Sequence, residues 1–144
     1  MIAIFGAVFF LLFRFITFET NDASELLNQV KIGSATKRWQ SAYELSKVLN
    51  DPKLVPVDNS FKNQMISAYR YSINDDPLVR AYLAIAMGAT RDIYYADDLI
   101  EGLNDDSRES RLAAIQAVGM VGTGAAINQL VEIIEKSDFQ DERL

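Results

Sequence analysis

Asn74-Asp75-Asp76-Pro77-Leu78-Val79-Arg80-Ala81-Tyr82-Leu83-Ala84-Ile85-Ala86-Met87-Gly88 is echoed by Asn104-Asp105-Asp106-Ser107-Arg108-Glu109-Ser110-Arg111-Leu112-Ala113-Ala114-Ile115-Gln116-Ala117-Val118-Gly119. With Arg80 set over Arg111, an offset of 31, Ala86 falls over Ala117, Gly88 over Gly119, Leu99 over Leu130 and Ile100 over Val131. Each stretch opens on Asn-Asp-Asp, runs through a small-residue apolar helix to a glycine, and continues into a second amphipathic helix. Helix pairs repeated every 30 to 45 residues or so bury their faces only against their neighbours, which is the logic of an α-solenoid. The spacing therefore predicts an all-α chain with antiparallel pairs at Asn74–Leu103 and Asp105–Ile134.

In these pairs the first helices are expected at Pro77–Gly88 and Ser107–Gly119, where alanine and glycine let helices approach closely. The second helices are expected from about Tyr94 to Leu103 and from Ala125 to Lys136, burying Leu99, Ile100, Leu103, Leu130, Val131 and Ile134. Upstream, Ser60–Ile73 carries the apolar stripe Phe61, Met65, Ile66, Tyr69, Ile73. Arg38-Trp39-Gln40-Ser41-Ala42 echoes Arg80-Ala81-Tyr82-Leu83-Ala84, so a degenerate repeat helix is predicted from a cap at Ser34 or Thr36 to about Asn50. It would bury Trp39, Ala42, Tyr43, Leu45, Val48 and Leu49. Asp22 with Glu25 forms a capping-box pattern before a short helix ending at Gly33. That helix either lies at a membrane interface or is the first packed helix of the domain. The loop from Asp51-Pro52 to Ser60 is expected to pack down through Leu54, Val55 and Val57. Asp138–Leu144 resembles Asp106–Leu112, as if another repeat opened there. Its open end would be covered by further chain, the reading preferred here, or by a partner.

The two clear copies resemble the short bacterial HEAT repeat, including the type found in phycobilisome lyases. Asp76-Pro77-Leu78-Val79-Arg80 with Ala81–Gly88 carries the likeness, and Asp106–Arg111 with Ala113, Ala114, Ala117 and Gly119 repeats it without the proline. The resemblance implies a HEAT-like α-solenoid acting as scaffold or adaptor. It also implies that Arg80 and Arg111 pair with acidic residues of neighbouring turns, with Asp76 and Asp106 marking the repeats, and that the second-helix face binds partners. On that face Asp97, Asp98 and Glu101 fall over Asn128, Gln129 and Glu132. They form either a partner-binding ridge or a merely solvated exterior.

Ile2–Phe18 (IAIFGAVFFLLFRFITF) is apolar except for Arg14 and Thr17. Its 17 residues reach ~26 Å as a helix, close to the ~30 Å of a hydrocarbon core. Amphipathic periodicity is missing, which argues against a buried core helix. A basic leader and a small-residue cleavage site are missing too, which argues against a signal peptide. A single-pass anchor over residues 1–20 is predicted, with Phe9, Phe10, Phe13 and Arg14 meeting lipid or partner helices. Arg14 either snorkels to headgroups or meets a partner's acidic group. Lys31, Lys37 and Arg38 follow the run and no Lys or Arg precedes it, so the rest of the chain is expected on the cytoplasmic side. Residues 21–73 form the juxtamembrane helix and degenerate repeat, and 74–144 the HEAT-like repeats.

Composition excludes several classes. The 144 residues contain no Cys and no His, which removes disulfides, thiolate or imidazole metal sites, and His-based catalysis. Beyond the apolar run, 13 Lys/Arg stand against 20 Asp/Glu, a balance unsuited to nucleic acid. Asp75/Asp76 and Asp105/Asp106 lack EF-hand spacing and read as turn caps. No catalytic residue, metal, cofactor or small-molecule substrate is expected. The chain is expected to be an accessory or scaffolding subunit of a bacterial membrane complex, respiratory or photosynthetic assemblies being the hosts considered. Its partners would be integral membrane subunits and the bilayer. The alternatives are a membrane-anchored adaptor for a soluble partner and, less favoured, a phycobilin-lyase-like pigment handler.

Overall fold

A computed structural model describes residues 6–10 and 22–141, with side chains to residue 136 from Asp22 on. Residues 6–10 are helical. From Asp22 the chain runs through α1 (Ala23–Ile32), α2 (Ala35–Val48), α3 (Asn59–Tyr71), α4 (Pro77–Ala89), α5 (Ala96–Glu101), α6 (Arg108–Val121) and α7 (Ile127–Asp141). Short 3-10 turns link several of them. Among the described residues no strand occurs.

Most helices begin where a side chain satisfies an orphan N–H of the first turn, a contribution of ~1 kcal/mol each. Asp22, Ser34, Asp58, Asp76 and Ser107 accept these bonds for α1, α2, α3, α4 and α6. Pro77 occupies the first turn of α4, where its missing N–H is no loss. Glu25 does not close the expected capping box, because its carboxylate accepts from Gln29 instead.

Helices α2, α4 and α6 stack as one layer, and α1, α3 and α5 lie against them as a second. The first layer is tight because its facing positions are small. Ala84, Ala86, Ala114 and Ala117 are fully buried, and a methyl on Gly88 would come within 2.7 Å of the Ala117 Cα. Larger side chains fill the space between layers, among them Leu27, Leu45, Met65, Tyr69, Leu83, Met87, Leu99 and Leu103. Glycine ends the first helix of the last pair three residues beyond the expected Gly119: Gly122 adopts φ 72°, and its N–H reaches the Val118 carbonyl.

The helix expected over Tyr94–Leu103 is broken into a 3-10 turn at Ile93–Tyr95, α5, and a second 3-10 turn at Gly102–Asn104. The second turn lies where Gly102 abuts Tyr69 and Ala114. Ile73, expected in the stripe of the preceding helix, is 62 % exposed because the 3-10 turn at Ser72–Asn74 carries it off that face. Tyr43 is also exposed, packing edge-on against Tyr82 across α2 and α4. Val131 and Ile134 are exposed rather than buried. They lie on a face that, one repeat earlier, the next helix pair covers. Of the loop after α2 only Val55 packs down against the core as expected, since Val57 is 90 % exposed and Leu54 is exposed too. Asp138, which falls over the turn residue Asp106 in the resemblance of Asp138–Leu144 to Asp106–Leu112, lies within α7, which continues to Asp141.

Candidate functional site

Three arginines, each in the first turn of a first-layer helix, are anchored in related ways. Arg38 Nε donates to the Val30 carbonyl in the last turn of α1 at 2.7 Å, and its guanidinium pairs with Asp75. Arg80 Nη1 donates to the Tyr69 carbonyl in the last turn of α3 at 2.6 Å, and its Nε pairs with Asp105. Arg111 Nη1 donates to the Asp105 main-chain carbonyl at 2.6 Å. The first two arginines meet last-turn carbonyls at a helix C-terminus, where a cation also complements the macrodipole, and the Tyr69 carbonyl accepts from Ser72 Oγ as well. Each then ties that end to the following inter-repeat turn. The Arg80–Asp105 pair is the most buried, at 8 % and 6 % side-chain exposure.

Tyr69 lies beneath this pair, with the Arg80 guanidinium carbon 4.1 Å from its ring centroid. Its hydroxyl is buried against Gly102 and finds no hydrogen-bond partner among the described residues. Burial pushes its pKa up to about 12.

In the second layer, Lys62 pairs with Asp92 at 2.5 Å and Arg70 with Asp98 at 2.5 Å. Tyr94 donates to Asn63 at 2.6 Å, and Lys62 lies over the Tyr94 ring. The Lys62 hydrogen bond, with help from the Tyr94 N–H, holds Asp92 below the usual carboxylate range.

Three grooves recur along the molecule, each bordered by one of the three arginines. Val30, Lys31, Arg38, Ser67, Ala68 and Tyr71 line the first, about 320 Å³. The second, about 370 Å³, is lined by Tyr69, Arg70, Ile73, Arg80, Asp98 and Glu101. Asp105, Arg111, Ile133 and Lys136 help to line the third, about 420 Å³. Mixed charge beside apolar surface suits the side chains and termini of another polypeptide.

The residues singled out in the sequence distribute unevenly over this surface. Asp97, Glu101, Asn128 and Glu132 are exposed on α5 and α7, and Gln129 is half-buried. Asp98 is not on the ridge: it is 4 % exposed and turned onto Arg70. Glu132 is engaged by Lys136 one turn on, which lowers its pKa. Asp76 caps α4, but Ser107 rather than Asp106 caps α6, while Asp105 receives Arg80. Among the described residues Arg111 meets the Asp105 carbonyl, and the acidic side chains from Asp138 onward lie outside them. Phe9 and Phe10 are 70 % and 63 % exposed, whereas Phe13, Arg14 and most of the Ile2–Phe18 run lie outside the described residues. Among the described residues no helix is long and apolar enough to cross a membrane, and no acidic cluster is fit to hold a metal ion.

Sequence reasoning missed Asp75, Asp105, Lys62 and Asp92 as a set. The recurring Asn-Asp-Asp held the signal for the first two, because Asn74 and Asn104 lie 30 apart and bring Asp75 over Asp105. Alignment on the arginines hid this.

A family model for HEAT repeats matches residues 66–144. No curated protein and no solved structure matches the chain.

Proposed function

The chain belongs to the HEAT-repeat family, and from that premise we propose that it works by binding other polypeptides, as a scaffold tethered to a bilayer through Ile2–Phe18. HEAT repeats are protein-interaction units, and the family is generally non-catalytic. The observation that carries the reading is the recurrence of one groove beside each of Arg38, Arg80 and Arg111. A row of similar clefts at repeat spacing suits an extended partner better than a small substrate. The three arginines are engaged by carbonyls and carboxylates of the fold, which supports a structural use of their charge. The apolar run supports the finer proposal that the scaffold is an accessory subunit beside integral membrane proteins, with the repeats on the cytoplasmic side.

Extraction of the tagged full chain in mild detergent, followed by native sizing and identification of co-purifying chains, tests this reading. Fixed-stoichiometry membrane subunits support it. Elution as a lone monomer from its native membranes rejects the accessory-subunit form. Capture of a soluble basic protein, lost on charge reversal of Asp97 and Glu101, favours the adaptor form instead. Visible absorbance from a bound bilin is the result that turns the reading towards pigment handling.

A further inference from the structure

The way the chain enters α1 restricts how the helical domain meets a bilayer. Ser41 Oγ donates to Gln29 and Arg38 to Val30, so α1 and α2 run antiparallel about the turn at Gly33. The start of α1 is therefore at the end of the pair where α2 finishes and the loop to α3 begins. Lys62 and Asn63, in the opening turns of α3, contact Asp92 and Tyr94 of the next first-to-second-helix connection. Asp22 and these two connections thus share one edge of the two-layer stack.

That edge exposes several large apolar side chains among its polar ones. Val57 is 90 % exposed, Ile93 64 %, Leu54 43 % and Tyr94 41 %. Its acidic residues are committed to helix caps: the exposed Asp51 and Asp58 and the half-buried Asp92 accept the N–H groups of Lys53, Phe61 and Tyr94. Lys53 and Arg91 are exposed beside the apolar side chains, so the edge offers headgroup-seeking cations and insertable side chains together. Tyr94 is also suited to an interface, with an apolar ring and a polar tip.

We propose that this edge, through Val57, Leu54, Ile93 and Tyr94, lies in the headgroup region of the bilayer and sets the orientation of the solenoid. The inference rests on the anchor reading. Only Glu19, Thr20 and Asn21 separate Phe18 from Asp22, and four residue steps span at most about 14 Å in any conformation. An anchor ending at Phe18 therefore keeps this edge within reach of the headgroups. The opposite edge, with Ile73, stands off by the length of a first-layer helix, ~21 Å for the 14 residues of α2.

The absence of native cysteine makes the test direct. Full-length chains carrying Val57→Cys, Ile93→Cys or Ile73→Cys are nitroxide-labelled and reconstituted into phosphatidylcholine vesicles. Collision with oxygen and with a water-soluble nickel chelate is then compared. Labels at 57 and 93 are expected to favour oxygen over nickel several-fold more than the label at 73. Equal nickel access at all three positions on floating vesicles overturns the orientation and leaves the anchor standing. Failure of the folded protein to float with vesicles refutes the anchor, and this inference with it.

Discussion

Asp105 takes the Arg80 guanidinium although 25 residues separate them, which closes one helix pair onto the next. Both side chains are almost completely withdrawn from solvent, so neither is readily compensated by water when the other is removed. Asp105→Ala is expected to cost about 3–5 kcal/mol, the usual penalty for leaving one half of a buried ion pair alone. Denaturant unfolding checks this. Replacing both residues together should cost clearly less than the sum of the two single changes.

Gly88 and Gly119 occupy the same place in the repeat, but their surroundings differ. A methyl at Gly88 meets the Ala117 main chain, whereas one at Gly119 has nothing within 4 Å. Gly88→Ala is expected to destabilise by about 1–3 kcal/mol through overpacking. Gly119→Ala is expected to be neutral or to stabilise by up to about 1 kcal/mol through helix propensity. Opposite shifts in melting temperature are the readout.

The buried hydroxyl of Tyr69 contributes no hydrogen bond to hold the fold. Tyr69→Phe removes its desolvation cost, keeps the ring beneath Arg80, and is expected to stabilise by about 1 kcal/mol. A loss of stability in chemical denaturation contradicts this account.

The same residue governs alkaline behaviour. Its folded pKa is raised from 10.0 to about 12, so the unfolded chain ionises first. The stability of the neutral form is fully present below pH 10 and falls as pH rises towards about 12, at ~1.4 kcal/mol per pH unit. Burial raises Tyr95 as well, and its contribution has the same sign. Tyr69→Phe should flatten the alkaline limb of a stability–pH curve without abolishing it. At the acid end, Asp92 has a lowered folded pKa. Its contribution is present above the ordinary carboxylate pKa and is lost as pH falls through the lowered value, a loss that Lys62→Met should reduce, leaving the part due to the Tyr94 N–H.

The helical architecture was legible because a 31-residue offset aligns both a small-residue face and the following amphipathic helix. Gly88 was read correctly as a close-approach position, since nothing larger fits against Ala117. The candidate binding surface was less legible. Asp97 and Asp98 are neighbours of identical chemistry, yet one is exposed and the other meets Arg70 on α3. Only the fold places those two helices side by side. Ile73, Val57 and Ile93 look like core residues in composition, but turn geometry leaves them outside. Hydrophobic periodicity carries no information about such turns.

The unequal packing of the two layers gives the molecule a preferred direction of bending. Across α4 and α6 the main chains are almost in contact, so that side acts as a stiff spine. Across α3 and α5 the neighbours are joined by long side chains, Lys62 to Asp92 and Arg70 to Asp98. The long, flexible stems of these lysine and arginine side chains make them adjustable links, unlike the main-chain contact of the spine. Bending that opens or closes the second layer about the spine is therefore easier than a change in the pitch of the spine itself. The solenoid is compliant in bending and stiff in stretching, the behaviour of a leaf spring.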